Sequence, residues 1–198
     1  AQDTESTTKP FVTVRDGHFY LGNKEYRYVG ANFWYGAILA SEGRGGNRER
    51  LHRELDHLKS IGVDNVRVLV GGDGRDGIPS HIAPKLQTEP GVYNDTILAG
   101  LDYLMLELEK RDMRAILYLN NAWEWSGGYG AYLDWAGFES DIPDYSKGDG
   151  STRHFSQTPV PGIDGYREYT QHVSNFVLHE GAKAMADRHA CFIVSRKN

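Results

Sequence analysis

An alternation of two periods narrows the possible folds of this chain more than any other feature. Val29 to Gly36 (VGANFWYG), Asp64 to Val70 (DNVRVLV) and Ala115 to Leu119 (AILYL) are short apolar runs. Between them, apolar residues recur at helical spacing: Leu51, Leu55, Leu58 and Ile61, then Ile97, Leu98, Leu101, Leu104, Met105 and Leu108. Runs this short suit buried strands, and stripes at three and four residues suit amphipathic helices. Strand, helix, strand, helix, strand predicts parallel strands, because a parallel neighbour needs a crossover to bring the chain back. The predicted fold class is α/β.

Local chemistry sets the boundaries. Asn47 is placed to cap the first helix and Gly62 to stop it, and the second helix starts at Asn94 or Asp95. Asp16-Gly17 and Gly22-Asn23 between short alternating runs predict a small N-terminal β-hairpin over Phe11 to Tyr28. Residues 1–10 (AQDTESTTKP) read as a disordered N-terminal tail, of the kind left by signal-peptide cleavage or by an arbitrary boundary. Gly127 to Gly165 is predicted to be a long loop with a short helix at Ala131 to Ala136, and helical spacing returns from Tyr166 and runs to Val194. A closed barrel of eight βα units takes about 250 residues. Here roughly the first three units use the whole 198. Residues 11–198 therefore read as the amino-terminal part of a (β/α)8 TIM barrel, truncated before the fourth strand and missing the C-terminal part of its own barrel. A complete three-stranded α/β domain is the alternative, at the cost of two open sheet edges.

Charge and motifs exclude several functions. A net charge of −5 and a pI near 5.9 argue against nucleic acid or an anionic membrane as partner. No apolar run approaches the roughly 18–20 residues of a membrane span. The single Cys191 precludes an intrachain disulfide. The eight histidines carry no metal-ligand spacing and read as solvated surface residues, so no metal and no cofactor is expected. Gly72-x-Gly74-x-x-Gly77 follows a strand as a dinucleotide fingerprint would. Pro79 and Pro84 break the helix that should come next, so the stretch reads as a flexible loop. There is no GxSxG elbow.

The strand ends are where chemistry collects. Ala115–Leu119 gives way to Asn120, Asn121, Trp123, Glu124, Trp125 and Ser126-Gly127-Gly128, and Trp34 follows Asn32 in the same manner. In parallel α/β folds ligands sit at the carboxyl ends of strands. Flat indoles beside amides suit pyranose rings, which pair an apolar face with a rim of hydroxyls. Core filling is the other reading for Trp34, Trp123 and Trp125. Arg67 is a charge inside an apolar strand, which implies burial against carboxylates. It would serve either to orient a catalytic carboxylate at a barrel mouth or as a structural ion pair or outward edge residue.

The ordered series VGANFWYG, NRERLHRELDHLKSIG, DNVRVLVGGDG, LAGLDYLMLELEKRDMRAILYLNNAWEWSGGYGAYLDWAG and FIVSRKN resembles the amino-terminal part of glycoside hydrolase family 5 β-mannanases, in register from about Phe11 to Asn198. The resemblance implies a (β/α)8 barrel and retaining endo-hydrolysis of β-1,4-mannosidic bonds in mannan, glucomannan or galactomannan. It further implies no cofactor and a secreted enzyme, extracellular or periplasmic. Arg67 matches the second-strand arginine that supports the nucleophilic glutamate, and Trp123 the third-strand tryptophan of the substrate cleft. Asn120, Asn121, Trp34 and Trp125 fall at matching cleft positions. The acid/base glutamate of the family follows an asparagine at the fourth strand, and the nucleophile ends the seventh. No Asn-Glu pair occurs here, Glu124 is not promoted to either role, and the chain alone is expected to be inactive. A family 5 β-glucanase fragment and a non-catalytic carbohydrate-binding half barrel are the alternatives.

Overall fold

The computed structural model describes residues 11–78, 81–138, 170 and 172–196. In chain order, β1 (Val12–Arg15), β2 (His18–Leu21) and β3 (Lys24–Glu25) form an antiparallel sheet. The β1–β2 turn puts Asp16 and Gly17 at positive φ, 50° and 78°, as the twist of a two-residue hairpin requires. The predicted hairpin thus carries a third strand. Tyr26 and Tyr28 stack just after it, 5.4 Å between ring centroids, and Asn65 Nδ2 donates to the Tyr26 hydroxyl at 3.3 Å. That bond ties the small sheet to the amino end of the main one.

Next come β4 (Gly30–Asn32), α1 (Gly36–Ala40), α2 (Arg48–Ser60), β5 (Asn65–Leu69), β6 (Gln87–Glu89), β7 (Val92–Tyr93), α3 (Asp95–Lys110) and β8 (Arg114–Tyr118). A 3-10 turn (Glu124–Ser126), α4 (Gly128–Trp135), a second 3-10 turn (Asn175–Leu178) and α5 (Glu180–Val194) complete the order. Strands β4, β5 and β8 are parallel, with β5 in the centre. Both long helices start where their caps predict. Asn47 accepts from the Arg50 amide, and Asn94 from those of Thr96 and Ile97. Gly62 ends α2 at φ 89°. The α2 stripe is shorter than expected: Leu51 and Leu55 are buried, whereas Ile61 follows the last turn and is 60% exposed.

Register divides the sheet into two faces. Ala31, Val66 and Ala115 pair across it and, with Val68 and Leu117, pack against Leu51, Leu55, Leu104 and Leu108 of α2 and α3. Asn32, Arg67 and Ile116 pair on the opposite face, and all three are exposed. A second cluster gathers Ala37, Val70, Leu86, Ile97, Leu101 and Ile193, and a third joins Tyr132 and Leu133 to Ala182.

Two expectations change. The strand expected over Val29 to Gly36 is only β4, and the chain enters α1 at Gly36. Residues 71–91 hold β6 and lead into its hairpin with β7, so their described part is not the flexible loop that composition suggests: Leu86 and Gln87 amides donate to Gly72 O, and the Gly74 amide to Gln87 O. Helix α1 packs on α3, where a Cβ at Gly100 would collide with the Ala37 carbonyl. Residues 1–10 and most of the predicted 127–165 loop lie outside the described residues. The short helix expected at Ala131 to Ala136 is α4, beginning at Gly128.

Candidate active site

At the carboxyl end of β8 the chain turns on itself through Asn121. Its Oδ1 accepts from the Trp123 amide at 2.7 Å and from Ser126 Oγ at 3.1 Å. These bonds fold residues 121–126 into the 3-10 turn and point two indoles to one side. A cavity of about 640 Å³ opens there, lined by Trp34, Tyr35, Ile38, His81, Ile82, Ala83, Trp123 and Trp125. Trp34 and Trp125 meet edge to face at 5.1 Å, so each fixes the other. Trp123 is 42% exposed. The volume is that of a small-molecule site, with aromatic walls and polar atoms at the margins.

Of the residues picked out in the sequence, Trp34, Trp123 and Trp125 come together in this cavity. Asn121 works behind it, as the brace of the turn. Asn120 Oδ1 accepts from the Asn121 amide, and the residue lines a separate groove of about 460 Å³ with Leu119, Tyr129 and the inner side of α5. Arg67 is on the exposed face of the sheet, its guanidinium 3.5 Å from the centre of the Tyr118 ring. The expected burial against carboxylates does not hold. Among the described residues, the face of the central strand away from the helices is uncovered, so Arg67 is exposed.

Sequence reasoning missed the opposite wall, His81 to Ala83. It lies in a Gly/Pro stretch, where only Ile82, an apolar residue amid turn formers, hinted at a packed position. The Ile82 amide donates to Trp125 O at 2.6 Å, joining the two walls. His189 was also misread as surface. It is buried, its Nε2 donates to Val70 O at 2.7 Å, and its Nδ1 accepts from the Tyr93 hydroxyl at 3.2 Å. Burial pushes its pKa down, with the Val70 bond opposing, which suits a neutral ring.

Electrostatically, Glu124 stands out. It sits between the two tryptophans, 1% exposed, and among the described residues neither carboxyl oxygen has a hydrogen-bond partner. Burial pushes its pKa up. A raised pKa disfavours the ionised form that a nucleophile needs. Among the described residues no group of three His, Cys, Asp or Glu could hold a metal ion, and no helix is long and apolar enough to cross a membrane.

The structure sets a tryptophan-walled cavity at the strand ends of a parallel βα sheet, and comparison with known proteins gives the class as the glycoside hydrolases. The chain belongs to glycoside hydrolase family 5: the model of the family 5 β-mannosidase-like group matches residues 9–198. A crystal structure of a family 5 mannosidase from Rhizomucor miehei superposes with a TM-score of 0.80 at 30% identity, covering 95% of this chain and 43% of that one. A second structure from that organism, a mutant in complex with mannosyl-fructose, gives the same values. Mannan endo-1,4-β-mannosidase 3 of Solanum lycopersicum is 30% identical over 127 residues, which is 64% of this chain and 29% of the relative. The chain thus matches under a third of that curated relative's length and under half of the solved structures.

Proposed function

We propose that this chain forms the first three βα units of a family 5 barrel whose whole protein hydrolyses β-1,4-mannosidic bonds with retention of configuration. Residues 11–198 supply part of the substrate site and neither catalytic glutamate. The cavity walled by Trp34, Trp123 and Trp125 at the strand ends carries the reading. In this mechanism two carboxyl groups about 5–5.5 Å apart act in turn: one protonates the leaving oxygen while the other attacks the anomeric carbon. Both come from sequence outside this chain. Arg67, on the inward row with Asn32 and Ile116, holds the nucleophile ionised and oriented through charge-assisted hydrogen bonds. Trp123 offers the stacking face for a mannosyl ring. The substrate is a β-mannan or its oligosaccharides, and the enzyme acts outside the cell or in the periplasm.

The full-length protein is expected to cleave glucomannan and locust-bean gum, and the purified 198-residue chain to be inert. Cleavage by the chain itself, with contaminating enzyme ruled out, would sink the assignment of both carboxylates elsewhere. In the full-length protein, Trp123→Ala should raise KM about tenfold, the scale of one lost aromatic contact. Its melting temperature should hold, because the indole is exposed.

A second reading is exo-acting release of single mannosyl units. The His81–Ala83 wall closes one side of the cavity, and the matching family model and the Rhizomucor structure are both of mannosidases. Product analysis on mannohexaose separates the two: mannose alone from an exo-enzyme, a ladder of oligosaccharides from an endo-enzyme.

A further inference from the structure

Beneath the cavity lies a buried polar cluster that the proposed chemistry does not use. Asp73, 1% exposed, accepts from Gln87 Nε2 at 3.0 Å, and the same Nε2 reaches the Tyr132 hydroxyl at 3.4 Å, which brings that hydroxyl within the influence of the Asp73 carboxyl. Gln87 Oε1 accepts in turn from the Gly91 amide at 2.7 Å. Lys85 is buried on the same loop, its Nζ without a hydrogen-bond partner, close enough to feel Asp73 and Asp76. The backbone of Asp73 touches the site directly. Its amide donates to Ser126 O at 2.9 Å, and a Cβ at Gly127 would fall inside its carbonyl. From Ser126 the bonds run to Asn121 and on to Trp123. From Gly72 they run through Leu86 and Gln87, on the loop whose Ile82 holds Trp125 O. Both walls of the cavity therefore hang on residues 72–74, and Asp73 is the buried side chain that anchors them.

We propose that Asp73 is a positioning residue for the tryptophan wall, and that gain or loss of its proton shifts the wall and so makes sugar binding depend on pH. The second clause rests on the sugar-site reading above, whereas the first does not.

The groups around Asp73 are few. Lys85 and Asp76 face it from its own loop, Tyr93 from β7 and Tyr132 from α4. His189 and Arg188 of α5 lie behind Tyr93. Glu124, on the adjoining turn, makes no hydrogen bond to it. Burial lifts the Asp73 pKa to about 7, against the pull of Gln87, Lys85 and Tyr132. Burial brings Lys85 down to about 8. An ionised Asp73 draws on Gln87, Tyr132 and Lys85 together, whereas a protonated one loses the pull on Lys85 and becomes a donor itself. Either change acts on the 72–74 backbone.

The test is fluorine NMR on full-length protein labelled with 5-fluorotryptophan, without sugar, from pH 5.5 to 9. The Trp125 signal is assigned by Trp125→Phe. It is expected to titrate with a midpoint near 7, to lose that transition in Asp73→Asn, and to shift to a higher midpoint in Tyr132→Phe, which keeps the ring and removes the hydroxyl that favours the ionised carboxyl. A flat signal in the wild type overturns the proposal. So does a transition unchanged in Asp73→Asn, or one lost only in Lys85→Met. If Asp73→Asn does not fold, Tyr132→Phe decides: an unmoved midpoint overturns the proposal. Mannobiose affinity across the same pH range then tests the sugar clause. A moving Trp125 signal with no sugar binding would leave the positioning role standing and fail the substrate reading.

Discussion

At the scale of single residues, Glu124 shows how position in the sequence can mislead about chemistry. It lies beside two tryptophans at a strand end, where a catalytic acid would be sought, yet its carboxyl is buried without a hydrogen-bond partner among the described residues. Its folded-state pKa is raised by burial, with its own backbone amide pulling the other way. The stabilisation from its proton is full below the unfolded-state value and is lost as pH rises through the folded-state value. Glu124→Gln removes this dependence. Relative to wild type, the variant should gain stability as pH rises above the ordinary glutamate range. Thermal melts on either side of that rise check it, and a difference that does not change with pH would show that burial does not raise the Glu124 pKa. The tryptophans were legible because aromatics adjacent to amides and glycines fit no helical or strand period. Arg67 was legible in place but not in burial, since its exposure depends on what covers the other face of the sheet.

At the scale of elements, legibility followed length and caps. Helices α2 and α3 each carry an asparagine cap and a stripe of leucines, and both begin where those signals put them. Helix α1 has five residues and no side-chain cap, and β6 is Gln-Thr-Glu. Both owe their form to tertiary packing, which leaves little local trace. Asn94 illustrates how much one cap holds: it accepts from two amides of α3, and its Nδ2 donates to Lys85 O at 3.4 Å. Asn94→Ala should therefore cost about 1–2 kcal/mol. A urea titration should show a lower midpoint with an unchanged slope, and an unmoved midpoint would mean the cap is dispensable.

For the molecule as a whole, among the described residues β4 and β8 each have an unpaired edge and one face of the sheet is open. Ile116 is 41% exposed on that face. Open edges and bare apolar surface invite pairing with other copies. The isolated chain is expected to self-associate in a concentration-dependent way on size exclusion. A monomer at every concentration, with a cooperative melt, would count against an incomplete barrel. The alternation of periods made the parallel sheet legible, but the buried layer of Asp73, Gln87, Tyr132 and His189 was not. Its members are scattered from residue 73 to residue 189, and no local pattern links them.

The bond from His189 to Val70 spans 119 positions of sequence. Together with the packing of Tyr132 and Leu133 on Ala182, it clamps both ends of the stretch between α4 and α5 from within the folded body. Helix α5, drawn from the far end of the sequence, is thus held by the carbonyl that closes the central strand. Val70 is buried, so detaching α5 would strip that carbonyl of its partner away from water, at a cost of about 1–3 kcal/mol. The helix therefore belongs to the cooperative body of the sheet and should exchange its amide hydrogens with it rather than ahead of it.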